Sequence, residues 1–103
     1  DLREFMNRNY TCDLTLEQLA HYTGRSLSAF KRDFADTFEG ETPARWIIRR
    51  RLEEAMILLK KGVPASSVYL KVGFKNLSHF STAFKRQFGI LPTQAKSIQN
   101  LYF

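Results

Sequence analysis

Apolar residues recur at helical spacing along the chain, and one arrangement of them occurs twice. Residues 26–38 and 76–88 share the pattern Leu-Ser-x-Phe-x3-Phe-x3-Phe. Because residues four apart lie on the same face of an α-helix, each set of three rings is predicted to be the buried stripe of a helix rather than a cofactor platform. The two sets are Phe30, Phe34, Phe38 and Phe80, Phe84, Phe88.

A shorter helix is predicted before the first phenylalanine helix. Thr15 and Gln18 have the spacing of a capping box, which opens a helix over residues 16–22. Gly24 can supply a left-handed turn, and Ser26 can cap the next helix.

The second copy shows the same order of signals. Pro64 is predicted at the first helical position, Val68 and Val72 lie four apart, Gly73 turns the chain and Asn76 caps the following helix. A helix, a turn of a few residues and a second helix form a helix-turn-helix motif, so the sequence predicts this motif twice.

One long helix is predicted between the two motifs. Thr42 can cap it, Pro43 fits its first turn, and Gly62 followed by Pro64 ends it. Its apolar stripe consists of Ile48, Leu52, Ala55, Met56 and Leu59. At 1.5 Å per residue this helix is roughly 30 Å long.

The predicted fold is all-α with about seven helices, two helix-turn-helix subdomains being joined by the long linking helix. One further helix precedes the first motif, and a short one follows Pro92. The expected divisions are residues 1–41, 42–62 and 63–98. Residues 99–103 resemble the protease site of an expression tag, and a chain starting directly at a helix is expected to be an excised domain.

Charge is distributed unevenly along the 103 residues, whose net charge is +6. All ten acidic residues and nine basic ones precede residue 55, which leaves residues 1–54 at −1, whereas seven basic residues put 55–103 at +7. A strongly cationic half indicates a polyanionic partner, either nucleic acid or an anionic membrane.

Several classes of function are not expected. The single cysteine, Cys12, cannot form an internal disulfide, and with two histidines the chain cannot assemble a four-ligand zinc site. We therefore expect a reducing, cytoplasmic location and no cofactor. No apolar run reaches the ~20 residues of a membrane span. We also expect no enzyme, because Ser78 and His79 are adjacent and point ~100° apart on a helix.

The residues resemble the DNA-binding region of the AraC/XylS family of bacterial transcription regulators over about residues 2–97. The most specific stretch is Gly73-Phe74-x3-Ser78-x-Phe80-x3-Phe84-Lys85-x3-Gly89-x2-Pro92. Supporting stretches are Leu19-Ala20-x3-Gly24, Phe34-x5-Gly40-x2-Pro43 and Arg51-Leu52-x2-Ala55-x2-Leu58-Leu59. Tyr69 stands where the family usually has a small alanine, and Ala95-Lys96 stands where it often has tyrosine and arginine.

The resemblance places base-reading residues on the outward face of each phenylalanine helix. In the first motif these are Ser28, Lys31 and Arg32, and Arg32 is the strongest candidate because a guanidinium can donate two hydrogen bonds to guanine. The alternative is that Lys31 and Arg32 are an ordinary solvated pair.

In the second motif the outward face offers short side chains that can meet several bases, so more permissive reading is expected. These residues are Leu77, Ser78, Ser81 and Thr82. The candidates for contact with the DNA backbone are Arg25, Arg49, Lys71, Lys75, His79, Lys85 and Arg86. A purely structural role for His79, and simple solvation of Lys85 and Arg86, remain the alternatives.

The implied function is a sequence-specific regulator of transcription that inserts two recognition helices into successive major-groove segments of duplex DNA. The length of the linking helix is close to the ~34 Å pitch of a DNA turn. Other implied partners are RNA polymerase and a separate effector-binding or dimerisation domain of a longer protein, with no membrane. The alternative is a basic helical module that binds an acidic protein or a membrane surface.

Overall fold

The computed structural model describes residues 1–97, and within that range it contains six α-helices, one 3-10 helix and no strand. The helices are α1 (Leu2–Asn9), α2 (Leu16–Tyr22), α3 (Leu27–Thr37), α4 (Pro43–Lys60), α5 (Ala65–Lys71), α6 (Leu77–Phe88) and the 3-10 helix (Pro92–Ser97). The predicted all-α fold is confirmed. The suggested tag at 99–103 lies outside the described residues.

The chain divides into two compact units, and the division falls inside α4. The first unit is Asp1–Ile48, and the second begins at Arg49. Each unit contains one helix-turn-helix pair, α2 with α3 and α5 with α6.

The first unit is built around aromatic rings from α3 and α4. Phe30 and Phe34 are fully buried, and Phe38 and Trp46 are nearly so. The ring of Phe34 stacks on that of Phe38 with centroids 4.2 Å apart and meets the edge of Trp46 at 6.0 Å. The rest of this core is Leu2, Met6, Leu19 and Ala20. The stripe predicted for α3 therefore faces the core.

The second unit buries the predicted stripe of α6 only in part. Phe80 and Phe84 are fully buried, but Phe88 is half-exposed at the end of the helix, with its centroid 4.7 Å from that of Phe84. The other buried apolar residues of this unit are Leu52, Ala55, Met56, Leu59, Val68, Val72, Phe74 and Ala95. Tyr69 is half-buried with its ring 6.5 Å from that of Phe80, so a ring is accommodated in place of a smaller side chain.

The start of α2 follows its predicted local signals. Thr15 and Gln18 form the complete capping box, with hydrogen bonds of 2.8 and 3.1 Å. Such a box satisfies two backbone N–H groups that have no partner within the helix. Gly24 adopts φ 73°, a left-handed conformation that L side chains rarely take, and it allows the sharp turn into α3.

The caps of the remaining helices differ from expectation at one position. The side chains of Ser26, Thr42 and Asn76 accept hydrogen bonds from backbone N–H groups at the starts of α3, α4 and α6, as predicted. Pro64 was expected at the first helical position, which is wrong by one residue. It is the N-cap of α5, because its ψ of 147° is extended and helical geometry begins at Ala65.

Candidate nucleic-acid interface

The first candidate surface lies on the face of α3 opposite its phenylalanines. Ser28, Lys31 and Arg32, the predicted base-reading residues of this motif, are all exposed. The Arg32 side chain is 71% exposed, so its guanidinium can reach a ligand. Lys31 forms no ion pair within residues 1–97. The structure brings these three residues together on one surface.

Arg25, a predicted contact to the DNA backbone, is engaged within the protein. Its Nε donates a hydrogen bond of 2.8 Å to Oδ2 of Asp33, and its Nη1 donates one of 3.1 Å to the carbonyl oxygen of Thr23. These bonds tie the turn after α2 to the middle of α3. The phosphate contact of Arg25 stays a prediction, and its bonds within the protein show a structural role.

Asp33 connects two of the predicted DNA-binding arginines and was not among the predicted site residues. Its Oδ1 lies 3.6 Å from Nε of Arg32, while Oδ2 accepts from Arg25. The hydrogen bond from Arg25 and the charges of both arginines lower the pKa of Asp33 from its ordinary value of 3.8, against the opposing effect of desolvation. Arg25 and Asp33 are eight residues apart and lie on either side of a turn. No sequence pattern predicts an ion pair at this spacing.

Acid is expected to remove the contribution of Asp33 to the stability of the first unit. Because the folded-state pKa is lowered, this contribution is complete above the unfolded-state pKa of about 4 and disappears as the pH falls through the lower folded-state value. The midpoint temperature of thermal unfolding is measured at several pH values between about 2 and 6. As the pH is lowered, this temperature should therefore fall less steeply for Asp33→Asn than for the unchanged protein. Parallel curves for the two proteins would contradict this role.

The second candidate surface lies along α6. Leu77, Ser78 and Thr82 are exposed, and Ser81 is half-buried. Ser81 and Thr82 line an open groove of about 450 Å³ together with Lys85, Arg86 and Leu91. Hydroxyl groups beside two cations provide donors and acceptors for base edges and donors for phosphates.

His79 combines an exposed position with a contact inside its own unit. Its backbone N–H donates to Asn76 Oδ1 at 2.9 Å, and its ring meets the edge of the Phe74 ring with centroids 5.6 Å apart. The contact with Phe74 favours the structural reading of this histidine. Its predicted contact with the DNA backbone stays a prediction.

The other predicted backbone contacts fall into two groups. Lys71, Lys75, Lys85 and Arg86 are exposed in the second unit, which suits long-range attraction to phosphates. Arg49 is only half-exposed, and its Nη1 donates to Glu53 Oε2 at 3.1 Å. Binding of a phosphate by Arg49 therefore requires competition with a carboxylate.

Arg51 is a structural residue of the second unit. Its Nη1 donates a hydrogen bond of 3.1 Å to the carbonyl oxygen of Gly73, in the turn between α5 and α6. The residues are far apart in sequence, so the bond holds this turn against α4. The sequence alone does not tell whether an arginine such as Arg51 binds within the protein or faces solvent.

The described part of the chain gives no indication of a membrane span or a metal site. None of its helices is both long and apolar enough to cross a bilayer. Within residues 1–97, no group of three or more histidine, cysteine or carboxylate side chains is placed to hold a metal ion.

Comparison with known proteins decides the family. A family model for a helix-turn-helix domain, of the AraC type, matches residues 19–97. The chain belongs to the AraC/XylS family of transcription regulators. It is a DNA-binding helix-turn-helix domain of that family, and the alternative module for acidic proteins or membranes is not favoured.

A curated relative supports the assignment to the AraC/XylS family. The virulence regulon transcriptional activator VirF of Yersinia enterocolitica is 33% identical over 96 residues, which cover 92% of this chain and 35% of the relative. The chain thus spans about a third of the length of this relative.

Solved AraC/XylS-type domains share the fold. A probable AraC family transcriptional regulator from Rhodopseudomonas palustris is 26% identical, with a TM-score of 0.76 and coverage of 93% of this chain and 91% of that chain. The DNA-binding domain of AdpA, a global transcriptional factor solved with a target DNA, has a TM-score of 0.84 at 23% identity, with coverage of 93% and 86%. At that identity the AdpA match shows the fold alone.

Proposed function

We propose that the protein binds duplex DNA sequence-specifically by placing the outward faces of α3 and α6 in the major groove. The observation that carries this proposal is the same in both units. Each helix turns buried phenylalanines into its own core, Phe30 and Phe34 from α3 and Phe80 and Phe84 from α6. The predicted base-reading side chains on the opposite faces are exposed or half-exposed. An α-helix with such a free polar face fits the width of the major groove of B-DNA.

We propose that α3 and α6 have different roles in DNA binding. Arg32 on α3 has the planar fork of donors that recognises guanine O6 and N7, so α3 specifies the sequence most strongly. The reading face of α6 has short side chains and lies among lysines, so α6 reads permissively and mainly holds the DNA. Comparable base preference in the two parts of the bound site would contradict this division.

The proposal extends to the longer protein to which such a domain belongs. VirF of Yersinia enterocolitica is about three times as long as the part of it that this chain matches, so we propose a separate effector-binding or dimerisation region. RNA polymerase is the proposed second macromolecular partner, and the cytoplasm is the proposed location. Membership in a family of transcription regulators supports a binding role rather than a catalytic one.

Arg32→Ala is expected to weaken binding to the preferred site by about 1–3 kcal/mol and to relax the preference at one base step, because a bidentate contact to guanine is lost. The preferred site is first obtained by selection from random duplexes. Fluorescence anisotropy then gives the affinity for this site and for a scrambled duplex of equal length. Equal losses on the two duplexes would contradict base reading by Arg32.

Lys75→Ala is the matched comparison for Arg32→Ala. It also removes one positive charge, but Lys75 precedes the N-cap of α6 and is proposed to contact phosphate. Phosphate contacts carry no base information, so this variant should lose similar affinity for the preferred and the scrambled duplex. A selective loss on the preferred duplex would assign Lys75 a role in reading sequence.

A further inference from the structure

An acidic residue lies next to the arginine that is proposed to read bases. Asp33 follows Arg32 on α3 and faces two guanidinium groups with its two carboxylate oxygens. A carboxylate close to DNA repels phosphates, so its presence here lowers the affinity for every duplex. We therefore expect the carboxylate of Asp33 to improve some other property of DNA binding, which compensates for this loss of affinity.

The position of the Asp33 carboxylate is fixed by Arg25. Nε of Arg25 donates to Oδ2 at 2.8 Å, and Nη1 of the same guanidinium is anchored 3.1 Å from the carbonyl oxygen of Thr23. The Arg25 side chain is 30% exposed, much less than that of Arg32 at 71%. Asp33 is thus held by a partly buried side chain that is itself tied to the backbone.

The geometry leaves the recognition end of Arg32 available. Oδ1 of Asp33 lies 3.6 Å from Nε of Arg32, which is the donor nearest the aliphatic stem. The other four N–H donors of a guanidinium are on its two terminal nitrogens, and those are free to meet guanine O6 and N7. An exposed arginine otherwise loses side-chain entropy when it binds, and a fixed neighbouring charge reduces that loss.

We propose that Asp33 is a positioning residue for DNA reading: held in place by Arg25, it orients the Arg32 guanidinium and increases discrimination at the base step that Arg32 contacts. This inference rests on the proposed function. It also implies that Arg25 helps to position Arg32, through Asp33, instead of binding a phosphate.

Asp36 provides a matched control. It is an exposed aspartate on the same helix, three residues after Asp33, and it forms no ion pair with any described residue. Asp33→Asn and Asp36→Asn remove the same charge from α3. Both are expected to bind a scrambled duplex somewhat more tightly, because a repulsive charge is lost in each.

The test measures the ratio of affinities for two duplexes. One is the preferred site, and the other differs from it only at the base pair whose preference Arg32→Ala relaxes. Asp33→Asn is expected to lower this ratio roughly two- to fivefold, the range of an exposed ion pair, whereas Asp36→Asn should leave it unchanged. Asp33→Glu keeps the charge but displaces the carboxylate, so it should lower the ratio without raising the affinity for scrambled DNA.

A double-variant experiment separates positioning from a general effect on the fold. In an Arg32→Ala background, Asp33→Asn should change the ratio no further, because the residue it acts through is absent. An unchanged ratio in Asp33→Asn, or an equal drop in the Arg32→Ala background, would overturn the inference and leave the proposed function intact. If Arg32→Ala relaxes the preference at no base pair of the selected site, base reading by Arg32 fails and the inference fails with it.

Discussion

Raising the salt concentration from about 50 to 200 mM is expected to weaken binding to duplex DNA by roughly 10³- to 10⁴-fold. The physical reason is the release of counterions when lysine and arginine side chains neutralise phosphates. Neutralisation of about six to eight phosphates gives a slope of log affinity against log salt near −5 to −7. Four of the seven predicted contacts to the DNA backbone are exposed cations of the second unit, namely Lys71, Lys75, Lys85 and Arg86.

The salt titration is best measured by fluorescence anisotropy on a scrambled duplex, where base reading contributes least. Lys75→Ala should make the slope less steep by about one unit. Arg49→Ala should change it less, because the Arg49 guanidinium is already paired with Glu53. A nearly flat titration of the unchanged protein would contradict binding through phosphates.

Phe34→Ala is expected to destabilise the first unit by about 3–5 kcal/mol, a large part of the 5–15 kcal/mol that stabilises a typical small domain. Phe34 is fully buried, and its ring contacts those of Phe30, Phe38 and Trp46. Truncation removes these contacts and leaves a cavity between α3 and the start of α4. When α3 unfolds, the exposed surface that carries Arg32 is lost as well. Sequence-specific DNA binding should therefore be lost together with the fold of this unit.

Urea unfolding followed by the fluorescence of Trp46 reports on this unit directly. Phe88→Ala is the control with the same chemistry, since Phe88 lies at a half-exposed position in the second unit. Because Trp46 belongs to the first unit, the unfolding of this variant is followed by far-UV circular dichroism. Phe88→Ala should lower the free energy of unfolding by less than Phe34→Ala, because less apolar surface is buried at Phe88. Equal losses in the two variants, or a loss below about 1 kcal/mol for Phe34→Ala, would contradict the assignment of Phe34 to the core.

The features that could be predicted from the sequence are those with a local cause. The capping box at Thr15, the caps at Ser26 and Asn76 and the turn at Gly24 each involve groups within a few residues, and all of them form. The repeat of phenylalanines placed α3 and α6 because their spacing matches the helical period. An error of one residue at Pro64 reflects the same local geometry, since N-cap and first helical position are adjacent.

The features that could not be predicted depend on residues brought together by the fold. The bond from Arg51 to the Gly73 carbonyl spans α4 to a distant turn, and the partial exposure of Phe88 depends on what covers the end of α6. The partners of Asp33 belong to the same class, because a turn between α2 and α3 must form before Arg25 reaches it. Charge patterning located the cationic half of the chain, but it could not distinguish arginines that face solvent from those held by the protein.

Selection of bound duplexes from a random pool by the unchanged protein tests the central claim most directly. Sequence-specific reading through α3 and α6 predicts enrichment of one site, with strong preference at the bases read by α3 and weaker preference at those read by α6. Recovery of duplexes with no shared sequence after repeated rounds would contradict sequence-specific recognition.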